Sequence, residues 1–364
     1  MKSYKNLFDV CISEENRKRA ISQAKHSKRV KRIIRKRNLT DEELLDKSYD
    51  WIMDFRAPAH NPITIYDGIS RKQRKIIVPT IEELVVQHCV VNALKPMIYH
   101  GMYEHSYASL PKRGGHKAKK QMVKWIQRDR KNTKYVLKMD IRHFFDSIPH
   151  DILKRKLAKV IRDDRILDLL CKIIDSTDHG LPLGFYSSQW LSNWYLQGLD
   201  HYIKEQLGAK YYVRYMDDMV IFGANKKKLH KTRQAISDYL EKELGLTLKE
   251  NWQVYRFDKN GKYRDVDFMG FRFYRDRTTL RRSIMLKATR KARRIAKKPK
   301  TTIYDCRQML SYLGWIKATQ TYQMYLQRIK PKVNFQRLKR YVSRYDKVIE
   351  RRTYEKLARM YGGG

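Results

Sequence analysis

The chain has 364 residues, 42% of them hydrophobic, which is enough for more than one packed subdomain and excludes a disordered chain. Lysine and arginine number 80 against 38 acids, and the formal net charge of +42 asks for a polyanionic partner, a nucleic acid before an acidic membrane surface. Cys11, Cys89, Cys171 and Cys306 form no CxxC pair, which excludes a zinc knuckle and a disulfide framework, and no apolar run reaches the roughly 18 residues of a membrane span.

Met1 to Val10 lacks the apolar core of a signal peptide, so reduced thiols and a cytoplasmic setting are expected. Residues 14–38 interleave Arg and Lys with Ala20, Ile21, Val30, Ile33 and Ile34, which fits a basic helix or a solvated arm. Thr40-Asp41-Glu42-Glu43 reads as a capping box that opens a second helix. Pro62 to Tyr66 and Lys75 to Pro79 flank Asp67-Gly68 as a hairpin. Thr80 to Met97 has the spacing of a buried helix, and Tyr135 to Met139 reads as a short buried strand ending in Asp140. Asp146 or Ser147 can cap the helix that follows, with Pro149 in its first turn. Gly180 to Gly184 is a loop and Ser187 to Leu207 a helix. Tyr211 to Tyr215 and Met219 to Phe222 form a hairpin with Met216-Asp217-Asp218 at its tip. From about residue 287 the chain is basic and helical in pattern. The expected organisation is therefore a basic N-terminal helical extension (1–59), a central domain (60–286) and a helical C-terminal domain (287–361).

An adjacent Asp pair is ordinarily a turn. Asp217 and Asp218, however, lie between strands too apolar for the surface, and Asp140 ends another such strand. Burying like charges together is costly unless a cation neutralises them. Nucleotidyl transfer has that requirement. Two divalent ions roughly 3.5–4 Å apart serve the attacking hydroxyl and the leaving pyrophosphate, and magnesium takes hard carboxylate oxygens.

Tyr215-Met216-Asp217-Asp218 is similar to the Tyr-x-Asp-Asp box of reverse transcriptases, and Asp140-Ile141-Arg142-His143-Phe144-Phe145 resembles the first metal box of that family. The likeness runs from about residue 62 to 275. It implies an α+β right-hand polymerase: fingers and palm built from an antiparallel sheet and helices, with a helical thumb after them. It further implies RNA-directed DNA synthesis from dNTPs with two Mg²⁺ ions, held by Asp140, Ile141, Asp217 and Asp218. By the same resemblance Arg71, Lys72, Arg74 and Lys75 lie on a fingers hairpin over the triphosphate, or form a general RNA-backbone patch. Arg113, in the box Ser106 to His116, reaches template or nucleotide. Phe145 gates the sugar. Phe268-Met269-Gly270 resembles the primer-grip turn. Lys249 stands where a proton donor to pyrophosphate is sought, although the family's lysine pair is displaced here by Glu250, Asn251 and Trp252.

Leu181-Pro182-Leu183-Gly184-Phe185-Tyr186-Ser187-Ser188-Gln189 departs from most of the family, which has Gln at the place of Leu183 and Pro at the place of Gln189. This form resembles the enzymes of diversity-generating retroelements, bacterial and phage proteins related to group II intron enzymes. Such enzymes copy a structured template RNA with errors opposite adenine, so that the cDNA rewrites a target gene by mutagenic retrohoming. They work with a small basic oligomeric helical-bundle protein. Gly184 is expected to admit backbone near the nascent base pair, and Leu183 to loosen polar control of the nucleotide. Intron-like, retron-like or phage-defence enzymes, and an RNA-binding protein with a dead site, are the competing readings. An RNA-dependent RNA polymerase is disfavoured by Phe145 and Met216.

Overall fold

The chain divides after Phe257 into two units, Met1–Phe257 and Asp258–Gly364, in a computed structural model that describes residues 3–66, 73–257 and 264–361, the stretch 350–361 by its backbone only. Arg71 and Lys72 lie outside the described residues.

In the first unit the basic segment forms two helices, Glu14–Ala24 and Lys28–Arg37, with Ser13 accepting the Asn16 N–H to cap the first. The capping box at Thr40 forms as expected: Thr40 Oγ1 accepts the Glu43 N–H at 3.1 Å and Glu43 returns the bond to the Thr40 N–H at 2.8 Å. A second capping box, Thr80 with Glu83, opens the helix Ile81–His100. That helix is apolar on most of its circumference, as a central helix must be, and packs against Glu14–Ala24, Asp41–Met53 and Tyr186–Tyr195.

Strands β1 (Ile63–Tyr66) and β2 (Gln73–Ile76) pair as an exposed antiparallel ribbon. Strands β3 (Tyr135–Asp140), β4 (Tyr211–Tyr215), β5 (Asp218–Gly223) and β6 (Gln253–Arg256) form an antiparallel sheet in the order β4-β5-β3-β6. The helix Lys226–Leu244 packs on β3, β5 and β6.

Two expectations need correction. Neither Asp146 nor Ser147 caps the helix His150–Val160; Pro149 itself holds the cap position, and Ser147 belongs to a short turn, Phe144–Ser147, where its hydroxyl donates to the Arg142 carbonyl. The expected helix from Ser187 to Leu207 is broken into Tyr186–Tyr195, Gln197–His201 and a π turn, Tyr202–Gln206.

In the second unit β7 (Val266–Phe268), β8 (Phe271–Phe273) and β9 (Thr278–Leu280) form an antiparallel sheet. The helices Arg282–Ala296, Ile303–Lys317, Tyr322–Arg328 and Phe335–Tyr361 follow. The composition shift near residue 287 falls inside this unit. Phe268, Phe271 and Phe273 are fully buried and Phe271 lies 5.0 Å from the Trp315 ring, which ties this small sheet to the helices that follow it. The class is α+β. No described helix is long and apolar enough to cross a membrane.

Candidate active site

β4 and β5 are joined through Met216 and Asp217, which lie between the cross-strand pair Tyr215 and Asp218. Met216 has φ +59°, at a position where two-residue hairpins usually place glycine. On the other side of β5, Asp140 lies directly opposite Asp218. The Ile141 N–H donates to the Asp217 carbonyl at 3.3 Å and closes the end of β3 against the hairpin tip.

This geometry brings Asp140 and Asp217 together. Burial pushes the Asp217 carboxyl up to about 6, and the neighbouring Asp140 charge pushes in the same direction. Lys249 answers Asp140: its Nζ donates to Asp140 Oδ1 at 2.5 Å, and its own N–H donates to the Asp140 carbonyl at 2.8 Å. A bridge between Ile141 and Leu248 fixes that register, so Lys249 reaches the site although the lysine pair is displaced.

Asp218 is placed by its register opposite Asp140 rather than by a shared cluster. Among the described residues no three His, Cys, Asp or Glu side chains stand together as a metal cage. Magnesium does not need one, since it commonly takes one or two carboxylates and completes its shell with substrate phosphates and water. Two facing carboxylates, one kept reluctant to ionise beside the other, fit such an ion. The Ile141 side chain is buried in the core and offers nothing to the site; only its backbone stands near the tip.

Phe144 is buried, while Phe145 is half-buried with its ring 5.5 Å from that of Phe144. The inward ring is thus Phe144, and Phe145 packs at the edge of the core with part of its side chain accessible. The Leu181 N–H donates to the Phe145 carbonyl at 2.7 Å, and the Leu183 carbonyl accepts the Ile77 N–H at 2.8 Å. One short loop therefore links the chain at Phe145 to the chain just after β2.

Gly184 is required by this link. It has φ +113°, and a Cβ there would stand 2.0 Å from the Ile77 carbonyl oxygen. The backbone that approaches this glycine within the protein is Ile77. Gly184→Ala should cost about 3 kcal/mol or more of stability and lower single-nucleotide extension; a melting point and rate equal to wild type would show that the link is dispensable.

Gln87 lies in the helix Ile81–His100. It is fully buried, and its Oε1 accepts the Tyr186 N–H at 2.8 Å, capping the helix Tyr186–Tyr195 just after the loop. Gln189 has an exposed side chain, while its carbonyl accepts from Ser192 and Asn193. Arg74 and Lys75 are exposed on β2. Arg113 is half-buried, and its Nη1 donates to the carbonyls of Tyr103 at 2.5 Å and Ser106 at 2.7 Å. That arm of the guanidinium holds a loop.

Within the second unit, Met269 and Gly270 form the turn between β7 and β8 with φ +51° and +84°. Phe268 is buried, and Met269 is the residue of the three with an accessible side chain.

An antiparallel palm sheet carrying facing carboxylates at a hairpin tip, with a fingers ribbon before it, is the right-hand polymerase fold. The chain belongs to the reverse transcriptase family: residues 65–273, more than half of it, match the family described as Reverse transcriptase (RNA-dependent DNA polymerase). Protein YkfC of Escherichia coli strain K12 is 26% identical over 194 residues, covering 50% of this chain and 46% of that protein, so the chain spans about half the length of this curated relative. Among solved structures, telomerase from Candida albicans with a fragment of telomeric RNA is similar at a TM-score of 0.48 and 11% identity, over 77% of this chain and 57% of that one. Telomerase from Candida tropicalis with such a fragment is similar at 0.49 and 12%, over 76% and 57%.

Proposed function

We propose that the chain is an RNA-directed DNA polymerase that extends a primer on a template RNA with dNTPs by two-metal nucleotidyl transfer. The observation that carries this reading is the Asp140–Asp217 pair at the palm hairpin, inside the segment that matches the family. Mg²⁺ ions held there by Asp140 and Asp217, with Asp218 close by in the sheet, would polarise the attacking hydroxyl and neutralise the leaving pyrophosphate. The residues of the chain do the remainder. Lys249, which pairs with Asp140, would give a proton to pyrophosphate. Phe145 would stand under the sugar, and the cations of the segment 71–75 (Arg71, Lys72, Arg74 and Lys75) would neutralise the triphosphate. The helices after β9 act as a basic thumb on the RNA–cDNA duplex, with Phe268-Met269-Gly270 at the primer. The test is extension on RNA and DNA templates with dNTPs or rNTPs. Extension on RNA with dNTPs supports the reading, and extension with rNTPs alone contradicts it.

Within that activity, the apolar Leu183 and the Gln189 ending favour a diversity-generating enzyme. Such an enzyme would be cytoplasmic, error-prone at template adenines, and partnered by a small basic helical-bundle protein. Leu183→Gln should lower misincorporation opposite adenine by about an order of magnitude. Sequencing of cDNA products reads this, and an unchanged error spectrum removes the basis for the finer assignment.

A further inference from the structure

Arg214 lies in the middle of β4, two residues before Met216, and is fully buried. Its Nε and Nη2 donate to the two carboxylate oxygens of Asp200 at 2.8 and 2.6 Å. The other edge of the guanidinium faces the hairpin: Nη1 donates to the Met216 carbonyl at 3.1 Å and to Asn193 Oδ1 at 3.2 Å. Asp200 accepts from the Tyr212 hydroxyl at 2.7 Å as well, so the anchor is itself held. Ser192 Oγ is 3.4 Å from the Met216 sulfur. The Arg214 backbone is clamped too, by the His105 carbonyl at 3.1 Å and the Tyr107 N–H at 3.0 Å.

A buried ion pair is a poor source of stability, because desolvation offsets most of its attraction, and its neighbours Tyr212 and Val213 show that this strand accepts apolar side chains. What an apolar residue cannot do is join Asp200 to the Met216 carbonyl with one rigid planar fork. Met216 is a non-glycine residue at φ +59°, a conformation that persists only where its surroundings impose it. The residue after it is Asp217.

We propose that Arg214 is a positioning residue of the active site: anchored on Asp200 and Asn193, its guanidinium holds the left-handed Met216 and thereby fixes where the Asp217 carboxylate stands beside Asp140 for cation binding. This rests on the reading of the two carboxylates as the metal site.

Two variants test it, with melting, Mn²⁺ binding by electron paramagnetic resonance, RNA affinity and the Mg²⁺ dependence of extension all measured. Arg214→Met with Asp200→Asn removes both charges and leaves Tyr212 an acceptor. Arg214→Lys keeps the charge beside Asp200 but lacks the second edge. Both should melt within a few degrees of wild type and bind RNA unchanged. Both should bind Mn²⁺ about tenfold more weakly and extend about a hundredfold more slowly. A folded variant with wild-type Mn²⁺ affinity and rate overturns the proposal, since a merely structural role predicts recovery once the fold is restored. Failure of both variants to fold assigns Arg214 to the fold alone and overturns it also. A wild-type chain that binds no Mn²⁺ would instead overturn the reading of the site, and this inference with it.

Discussion

Asp217→Asn is expected to reduce primer extension by about a thousandfold or more while leaving RNA affinity within about twofold of wild type. The separation follows from where the two properties reside. RNA binding is expected to draw on a net charge of +42 spread along the chain, which one substitution at the hairpin tip hardly alters. On the proposed reading, catalysis depends on the buried Asp217 carboxylate that stands beside Asp140.

The same variant should make the metal-free protein more stable. The Asp217 carboxyl is raised from 3.8 to about 6, by burial first and by the Asp140 charge second. Between those values the folded chain keeps a proton that the unfolded chain has released, so stability falls as pH rises through this window. Asn carries no such penalty. Its metal-free melting point at neutral pH should exceed that of wild type by about 2 °C or more, and its pH slope from 4 to 6 should be shallower. A variant that melts lower than wild type would mean that Asp217 serves the fold.

Phe145→Ala carries the second large expected effect. Phe144 fills the core, while Phe145 is half-buried at its edge, so truncating the outer ring costs less packing than truncating the inner one would. On the proposed reading, what it removes is the obstacle to a 2′-hydroxyl. The ratio of rNTP to dNTP incorporation efficiency should rise by about a hundredfold, equivalent to ~2.7 kcal/mol of lost discrimination. Single-nucleotide kinetics with matched rNTP and dNTP give the ratio. An unchanged ratio alongside an intact fold would move the sugar gate elsewhere.

The carboxylates were legible in the sequence because they interrupt strongly apolar runs: Tyr135 to Met139 before Asp140, and β-formers on both sides of Asp217 and Asp218. Strands announce themselves through such runs, and β3, β4 and β5 followed; β6, Gln253–Arg256, was not foreseen, because its short half-buried segment has no apolar run. Arg214 was hidden for the opposite reason. In Tyr211-Tyr212-Val213-Arg214-Tyr215 an arginine looks like a polar position on an alternating strand, and the partner that makes it buried, Asp200, lies on a separate helix. Gln87 was equally unreadable as a helix cap, since the N–H it accepts from, that of Tyr186, is distant along the chain. Gly184 was recognised as a place of close approach, but which backbone approaches it depends on the meeting of two loops. Periodicity carries no information about such meetings. Arg113 shows the same limit, for a cation quoted from a motif has no visible partner until the carbonyls of Tyr103 and Ser106 are found beside it.

The most direct test of the central claim is the Mg²⁺ dependence of single-nucleotide extension on an RNA template by the wild-type chain, with Asp140→Asn and Asp217→Asn alongside. A saturable requirement for Mg²⁺, abolished by EDTA and lost in both variants while RNA stays bound, is the predicted result. Extension that persists in EDTA, or in either variant at the wild-type rate, would contradict the account.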